Sequence, residues 1–143
     1  MFERILVAID GSEESTRAAD VAIELSKKDS ASLFVITVVH DAVVVYSEQG
    51  AASNLPIDKA RADAERFMKS TVSRAEAQGV KVRGEIVEKV PSVVDAIVDN
   101  ADEWKVDLVV VGTRGLTGLK KLLLGSVSNS VLHYANCSVL VVK

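Results

Sequence analysis

The chain has one cysteine, two prolines and few aromatic residues. Cys137 alone cannot form an internal disulfide or a cysteine-rich metal site, so we expect a reducing compartment and a small core role for this residue. No apolar run approaches the roughly 20 residues that a membrane-spanning helix needs. The N-terminal residues also lack the apolar segment and the cleavage site of a signal peptide. These absences predict a soluble, cytoplasmic protein that does not act at a membrane.

An excess of basic residues is also absent, because 17 Lys and Arg stand against 20 Asp and Glu, for a net charge of −3. This balance argues against a general nucleic-acid-binding protein. The carboxylates are unevenly distributed, since none lies between Leu108 and Lys143, whereas Arg114, Lys120 and Lys121 do. The C-terminal quarter therefore suits an anionic ligand.

With 143 residues, of which 48% are hydrophobic, the chain predicts a single domain over residues 1–143. Short β-branched runs alternate with segments in which apolar residues recur every three or four positions. The runs predict strands over Ile5 to Ile9, Leu33 to Val39, Val80 to Val87, Asp107 to Val111 and Val139 to Val142. Most are nearly continuous in Val, Ile and Leu, which suits strands covered on both faces. The third resembles an edge strand.

Four helices are predicted between these strands. The first two are Glu13 to Lys28, with Ser12 as N-cap, and a helix with an apolar stripe from Ile57 to Ala75 that ends at a left-handed Gly79. The third is opened by Pro91, carries Val94, Ile97, Val98 and Ala101, and has Trp104 packed at its end. The fourth starts near Gly125 or Ser126 and buries Val127, Val131 and either Tyr134 or Ala135.

Strict alternation of strand and helix predicts a three-layer, Rossmann-like α/β domain: an open parallel five-stranded sheet with helices on both faces. If the strand order is 3-2-1-4-5, the winding direction reverses between strands one and four. Ligands bind beyond the carboxyl ends of the strands at such a reversal. We therefore expect Asp10 and Gly112 to meet at one crevice, with a long loop from His40 to Pro56 near the same rim.

The most informative motif is Gly112-Thr113-Arg114-Gly115, followed after nine residues by Gly125-Ser126-Val127-Ser128. Glycines permit unusual backbone conformations and a close approach to an oxygen. A helix start adds free amides, here beside two hydroxyls, so the motif predicts phosphate binding. The alternative is that the glycines serve only the turn. The patterns G-x-G-x-x-G after the first strand and G-x-x-x-x-G-K-[ST] are both missing.

Other polar residues near the crevice have two interpretations. Asp10 could be a ligand, or Asp10-Gly11-Ser12 could be only a strand-to-helix turn, and both remain open. Arg114 is a better ligand candidate than Lys120 and Lys121, which we expect to be solvated. His40 borders the crevice, whereas His133 is expected at the surface or in packing. Neither histidine has a recognisable catalytic partner set, and no general base for ATP hydrolysis stands out.

The motif resembles that of the universal stress proteins, specifically the branch that binds ATP. That branch has Gly, two residues, Gly, nine residues, Gly and then Ser or Thr, which Gly112, Gly115, Gly125 and Ser126 match. The likeness extends from Ile5-Leu6-Val7-Ala8-Ile9-Asp10-Gly11-Ser12 to Cys137-Ser138-Val139-Leu140-Val141-Val142. Ser138 departs from the family's usual proline, which affects the geometry of a strand end away from the crevice.

The resemblance implies a set of nucleotide contacts. The phosphates would lie against the amides of Gly112, Thr113, Arg114 and Gly115 and those of Ser126, Val127 and Ser128, with the two serine hydroxyls assisting. Asp10 would lie close to the ribose or to a phosphate-bound Mg²⁺ or Mn²⁺, and Ala8 near the nucleoside. Main-chain groups at Val38 would read the adenine.

By resemblance, the protein would be a nucleotide-responsive binding or signalling protein of the stress response, whose ATP-loaded state alters its oligomer or its contacts with an unknown protein partner. A slow metal-dependent ATP hydrolase or phosphotransferase acting through Asp10 and a nucleotide-free interaction module remain as alternatives. Val139 to Val142 should form a sheet edge. A homodimer would cover that edge by strand pairing, and a monomer protected by Lys143 and a helix is the alternative.

Overall fold

A computed structural model describes residues 1–40, 55–113 and 124–143. In chain order its elements are β1 (Arg4–Ala8), α1 (Glu13–Asp29), β2 (Ser32–His40), α2 (Leu55–Ala77), β3 (Val82–Val90), α3 (Val93–Glu103), β4 (Leu108–Gly112), α4 (Ser126–Tyr134) and β5 (Ser138–Val142). All strand pairs are parallel, in the order β3-β2-β1-β4-β5. The predicted α/β sheet, its strand order and the edge position of β3 and β5 are confirmed.

The sheet is buried on both faces. β1 lies at its centre, and Ile5, Leu6 and Val7 are each 0% exposed because alternate side chains enter different cores. One core contains Ile5 and Val7 together with residues of α1 and α2, and the other contains Leu6 with residues of α3 and α4. Helices therefore cover both faces, as the continuous apolar strands predict.

The predicted helix ends are mostly confirmed. The side chain of Ser12 caps α1 by accepting a hydrogen bond from Ser15 N at 3.1 Å, and the first turn carries two glutamates. This helix ends one residue later than predicted, before a left-handed Ser30. Gly79, after α2, has φ +76°. Such a backbone conformation strains any residue that carries a Cβ, which accounts for the glycine.

The start of α3 corrects the sequence prediction. The helix begins at Val93, not at Pro91, and its N-cap is Ser92, whose side chain accepts from Asp95 N at 3.1 Å. A serine side chain satisfies a free helix amide, whereas proline offers no such acceptor. At the other end, Trp104 stacks on Phe34 with ring centroids 5.1 Å apart, which confirms that it packs there.

Several strand boundaries also differ from the predictions. Val80 is not in β3, because its amide donates to Ala75 O and closes the end of α2. Asp107 precedes β4, where its carboxylate accepts from the amides of Glu3 and Arg4 at 2.8 and 3.0 Å. Ile9 lies just beyond β1. Ile9 and Asp107 still donate from their amides to neighbouring strands, at Ile36 O and Arg4 O, so they flank the strands, whereas Val80 bonds away from the sheet.

The C-terminal elements agree with the sequence except at one residue. Tyr134 is 68% exposed, whereas Ala135 packs against the second core, so the alternative with Ala135 is correct. Cys137 packs against that core too, and burial raises the pKa of its thiol.

The long loop predicted from His40 to Pro56 is shorter at both ends. β2 extends to His40, α2 begins at Leu55, and the rest of the predicted loop, 41–54, lies outside the described residues. No helix in the described parts of the chain is long and apolar enough to cross a membrane.

The first residues of the chain are held by Asp29, at the end of α1. Its carboxylate accepts from Phe2 N at 2.9 Å and lies 3.4 Å from the terminal amine of Met1. The hydrogen bond from Phe2 lowers the pKa of Asp29 below its usual 3.8, and the amine acts in the same direction. Because the folded pKa is the lower one, this stabilisation is present above about pH 4 and is lost as the pH falls through the folded pKa.

We predict that Asp29→Asn lowers the melting temperature at pH 7, because the substitution removes the charge that the amine and the amide stabilise. The difference from the original chain should shrink as the pH falls below 3.8, where the carboxyl of the unfolded chain is protonated. Thermal unfolding between pH 7 and pH 2.5 measures it. Asp99→Asn, at an exposed position of α3, is the control with a small effect throughout. An equal difference at both ends of the range would contradict the assignment.

Candidate functional site

The carboxyl ends of β1 and β4 lie side by side at the centre of the sheet, with Val7 paired to Val110. From β1 the chain continues into α1 on one face, and from β4 it leads to α4 on the other. The winding direction therefore reverses between these two strands. Such a reversal opens a crevice beyond the strand ends, where ligands of this fold class bind.

Gly112, the last residue of β4, touches the first turn of α1. A Cβ at this position would lie 2.9 Å from the carbonyl carbon and from the Cβ of Glu14. The end of β4 thus meets the first turn of α1, the helix that follows Asp10, and a direct meeting of Asp10 and Gly112 remains a prediction. Among the described glycines only Gly11 and Gly79 have positive φ, so Gly112 does not use the conformational freedom that a glycine permits. A glycine suits this position because the close approach of α1 leaves no room for a Cβ.

The peptide groups of Thr113 link β4 to both neighbouring elements. Thr113 N donates to Val142 O at 2.9 Å, and Thr113 O accepts from Gly125 N at 2.6 Å. The second bond joins the two halves of the glycine motif, which are distant in sequence. Arg114 and Gly115 of the motif, and Lys120 and Lys121, lie outside the described residues.

The start of α4 differs from the starts of α1 and α3. Its N-cap is Gly125, which has no side chain to accept a hydrogen bond, and its first turn contains no acidic residue. By contrast, α1 and α3 have serine caps and acidic residues in the first turn. The first amides of a helix have no partner within the helix, and they carry a partial positive charge. The amides of Ser126, Val127 and Ser128 therefore suit an anion.

The side chains of these three residues have different surroundings. Ser126 is exposed, and Val127 is partly buried against the second core. Ser128 is only 5% exposed, and its hydroxyl donates a hydrogen bond to Gly112 O. The two serines that the motif places close together in sequence thus occupy different environments.

Asp10 forms the turn between β1 and α1. Its Oδ1 accepts from Ser12 N at 2.9 Å, its own amide donates to Ser15 Oγ at 3.3 Å, and Gly11 follows with φ +84°. Asp10-Gly11-Ser12 thus forms the strand-to-helix turn, and the structure does not decide whether it is only a turn. Within the described residues no hydrogen bond uses Oδ2, and the ligand role of this carboxylate remains a prediction.

A buried threonine that the sequence analysis did not single out supports the same rim. The hydroxyl of Thr37, 3% exposed, donates to Ile9 O at 3.1 Å, and Ile9 N donates to Ile36 O at 2.9 Å. These bonds hold the end of β1 against β2 immediately before Asp10. The sequence signal for this role is a polar residue, Thr37, inside the apolar run of β2.

Ala8 and Val38, the expected nucleoside contacts, lie on neighbouring strands, Ala8 at the end of β1 and Val38 two residues before the end of β2. Ala8 ends β1 and pairs with Ile36, and Val38 follows two residues later in β2. Both side chains are partly buried against the second core. Their contacts with a nucleoside remain predictions.

The described residues contain no group of three or more His, Cys, Asp or Glu that could hold a metal ion by themselves. A divalent ion at this crevice would need phosphate oxygens in addition to Asp10. Mg²⁺ is commonly bound in this way, through one or two carboxylates together with the phosphates of a nucleotide. The residues present therefore fit an ion that arrives with its nucleotide.

Comparison with known proteins identifies the family. The model of the universal stress protein family matches residues 1–143. Universal stress protein YxiE of Bacillus subtilis is 35% identical over 150 residues, covering all of both chains. Universal stress protein MJ0531 of Methanocaldococcus jannaschii is 36% identical over 143 residues, covering all of this chain and 83% of that protein.

Similarity extends to solved structures. The crystal structure of a universal stress protein in complex with cAMP is 31% identical, with a TM-score of 0.74, and the match covers 99% of this chain and 97% of that one. Sequence and fold thus agree over the full length of the chain. The chain belongs to the universal stress protein family.

Proposed function

We propose that this protein binds ATP in the crevice beyond β1 and β4 and acts as a nucleotide-responsive binding or signalling protein in the stress response. The observation that carries the proposal is the start of α4, where a glycine N-cap leaves the first amides without a side-chain acceptor. Phosphate groups are bound by such amides because the amides donate hydrogen bonds and the helix dipole favours negative charge.

The charge distribution supports an anion at this place. No Asp or Glu occurs from Leu108 to the end of the chain, and Arg114, Lys120 and Lys121 belong to the same stretch. In α1 and α3 a serine cap accepts from one amide of the first turn, and that turn also carries acidic residues. Of these three helix starts, that of α4 is therefore the one suited to phosphate.

An adenine nucleotide is supported by the similar protein whose crystal structure contains cAMP. Three phosphates are favoured over one because the glycine motif offers amides on both sides of residues 114–123 and carries basic side chains between them. We propose that the amides of Gly112, Arg114 and Gly115 and those of Ser126 to Ser128 bind the phosphates. The amide of Thr113, which the sequence analysis included, instead donates to Val142 O. Ala8 and Val38 would then adjoin the nucleoside.

Asp10 would hold Mg²⁺ or Mn²⁺ together with the phosphates. The ion would neutralise phosphate charge when bound, and the protein's share is to present one carboxylate oxygen at a fixed place. The turn provides that placement, because Oδ1 is bonded to Ser12 N. A binding role is favoured over hydrolysis because neither histidine has a recognisable catalytic partner set in the sequence, and Asp10, the carboxylate at the crevice, is assigned to the ion.

We also propose that the protein forms a homodimer through β5. This strand has β4 on one side and lies at the edge of the sheet. Alternate residues of a strand direct their backbone N–H and C=O to opposite neighbours. Val142 O accepts from Thr113 N, so the backbone N–H and C=O of Val142, and those of Leu140 two residues earlier, point toward β4. The backbone N–H and C=O of Val139 and Val141 therefore point outward, away from the sheet. A second copy could pair with those outward groups.

Ser126→Asp tests the phosphate site by moving stability and binding in opposite directions. A carboxylate in the first turn of α4 should stabilise the helix by about 0.3–1 kcal/mol. It should also lower the affinity for ATP at least tenfold, since like charges about 4 Å apart repel by several kcal/mol near a protein surface. Thermal unfolding and calorimetric titration with ATP and Mg²⁺ measure the two effects.

Asn129→Asp, one turn further along the same exposed surface of α4, is the matched control. It adds the same charge farther from the free amides, so its effect on ATP affinity should be several times smaller. Equal affinities for the original chain and Ser126→Asp would show that phosphate does not bind at this helix start.

Asp10→Asn tests the metal role, because an asparagine Oδ1 can still accept from Ser12 N and the turn should survive. The melting temperature should therefore change little. Affinity for ATP should fall roughly tenfold in Mg²⁺, as expected for losing an interaction with a charged group, and should not fall in EDTA. Titrations under both conditions measure it. An equal loss of ATP affinity in Mg²⁺ and in EDTA would show that Asp10 does not act through a metal ion.

Incubation with ATP and Mg²⁺ distinguishes a binding protein from a hydrolase. Incubated with ATP and Mg²⁺ for hours, the original chain should leave the nucleotide intact on ion-exchange chromatography. Turnover that Asp10→Asn abolishes would support the alternative of a slow metal-dependent hydrolase or phosphotransferase.

Val141→Pro tests the dimer, because proline removes an outward N–H and leaves the ladder to β4 in place. Sedimentation velocity at micromolar concentration should show a dimer for the original chain and a folded monomer for the variant. Leu140→Pro is the comparison: it removes a bond to β4 and should lower the melting temperature more. A monomeric original chain would overturn the dimer.

A further inference from the structure

Ser126 and Ser128 have the same side chain two positions apart, but they differ in what they contact. Ser126 is exposed, and within the described residues its hydroxyl has no hydrogen bond. Ser128 is 5% exposed and donates to Gly112 O. A serine hydroxyl has one proton, so Ser128 has none left to donate to a phosphate oxygen.

The acceptor of this bond is itself held in place. Gly112 ends β4, is paired with Val142 of β5, and packs against the backbone of Glu14 with no room for a Cβ. Ser128 therefore ties the first turn of α4 to a point fixed by the sheet and by α1.

A second bond acts next to the first. Gly125 N donates to Thr113 O at 2.6 Å, which attaches the N-cap of α4 to the residue after β4. Two attachments on successive residues of β4 and its extension fix the direction of the helix start as well as its position. The rest of α4 is held by Val131, which is fully buried in the second core, so the two bonds act on the first turn.

We propose that Ser128 is a positioning residue: its buried hydroxyl holds the free amides of α4 in the orientation that binds phosphate, before any nucleotide arrives. This proposal rests on the proposed function for the identity of the ligand. A site ordered in advance avoids the entropy cost of ordering upon binding, so its loss weakens binding without removing a ligand contact. Ser126 is then the serine whose hydroxyl faces the phosphates.

Hydrogen exchange in the nucleotide-free protein tests the positioning role, with Ser128→Ala and Ser126→Ala as a matched pair. The reporters are the amides of Gly125, bonded to Thr113 O, and Asn129, bonded to Gly125 O. Ser128→Ala should lower their protection about two- to tenfold, as expected for the loss of one hydrogen bond. Ser126→Ala should leave them unchanged, and the amides of α3 should not respond to either variant.

Titration with ATP and with adenosine provides the second readout. Ser128→Ala should lower the affinity for ATP about two- to tenfold and leave that for adenosine unchanged, because only the phosphates meet α4. A general structural role would weaken both ligands alike, which would overturn the proposal. So would unchanged protection in the free protein combined with weaker ATP binding, since Ser128 would then be a direct ligand.

The exchange and titration measurements also test this inference and the proposed function separately. If the original chain binds no ATP, the proposed function fails. The exchange measurement still decides whether Ser128 holds the start of α4, since it needs no nucleotide.

Discussion

The contact between the end of β4 and the first turn of α1 is the constraint on which the crevice depends. Gly112 has no side chain, and the backbone of Glu14 occupies the space that a Cβ would need. This contact brings the segments after β1 and β4 together at the point where the sheet reverses its winding direction. It also fixes the carbonyl that Ser128 binds, and through Thr113 it connects to β5 and to the N-cap of α4. Displacing α1 here would disturb each of these bonds.

The two helices at the crevice begin in different ways. In α1 the side chain of Ser12 accepts from one of the first amides, that of Ser15, and two glutamates lie in the first turn. α4 has Gly125 at the same position and no carboxylate in its first turn. A glycine N-cap costs only a few tenths of a kcal/mol relative to serine, so an open helix start lowers stability little. Both helices begin beside the same strand ends, and of the two starts that of α4 has neither a side-chain cap nor a carboxylate in its first turn.

Sequence patterns predicted what is local or periodic. Continuous apolar strands predicted a sheet covered on both faces, and Ser12 and Gly79 marked helix ends, because caps act through neighbouring backbone groups. Local features were missed where a residue suits two structures equally well. Tyr134 suits an apolar stripe but is exposed, and Val80 suits a strand but bonds to the end of α2. The reason for Gly112 and the separate environments of Ser126 and Ser128 depend on contacts between α1, β4 and α4, which spacing along the chain does not encode.

The most direct test of the account is the nucleotide affinity of the purified protein, preceded by chromatography of the nucleotide released on denaturation. The account predicts adenine nucleotide that copurifies with the protein, or a saturable heat of binding when the stripped protein is titrated with ATP and Mg²⁺. No released nucleotide and no heat of binding would contradict it. The fold would then stand without its proposed ligand, and the function would rest on protein contacts alone.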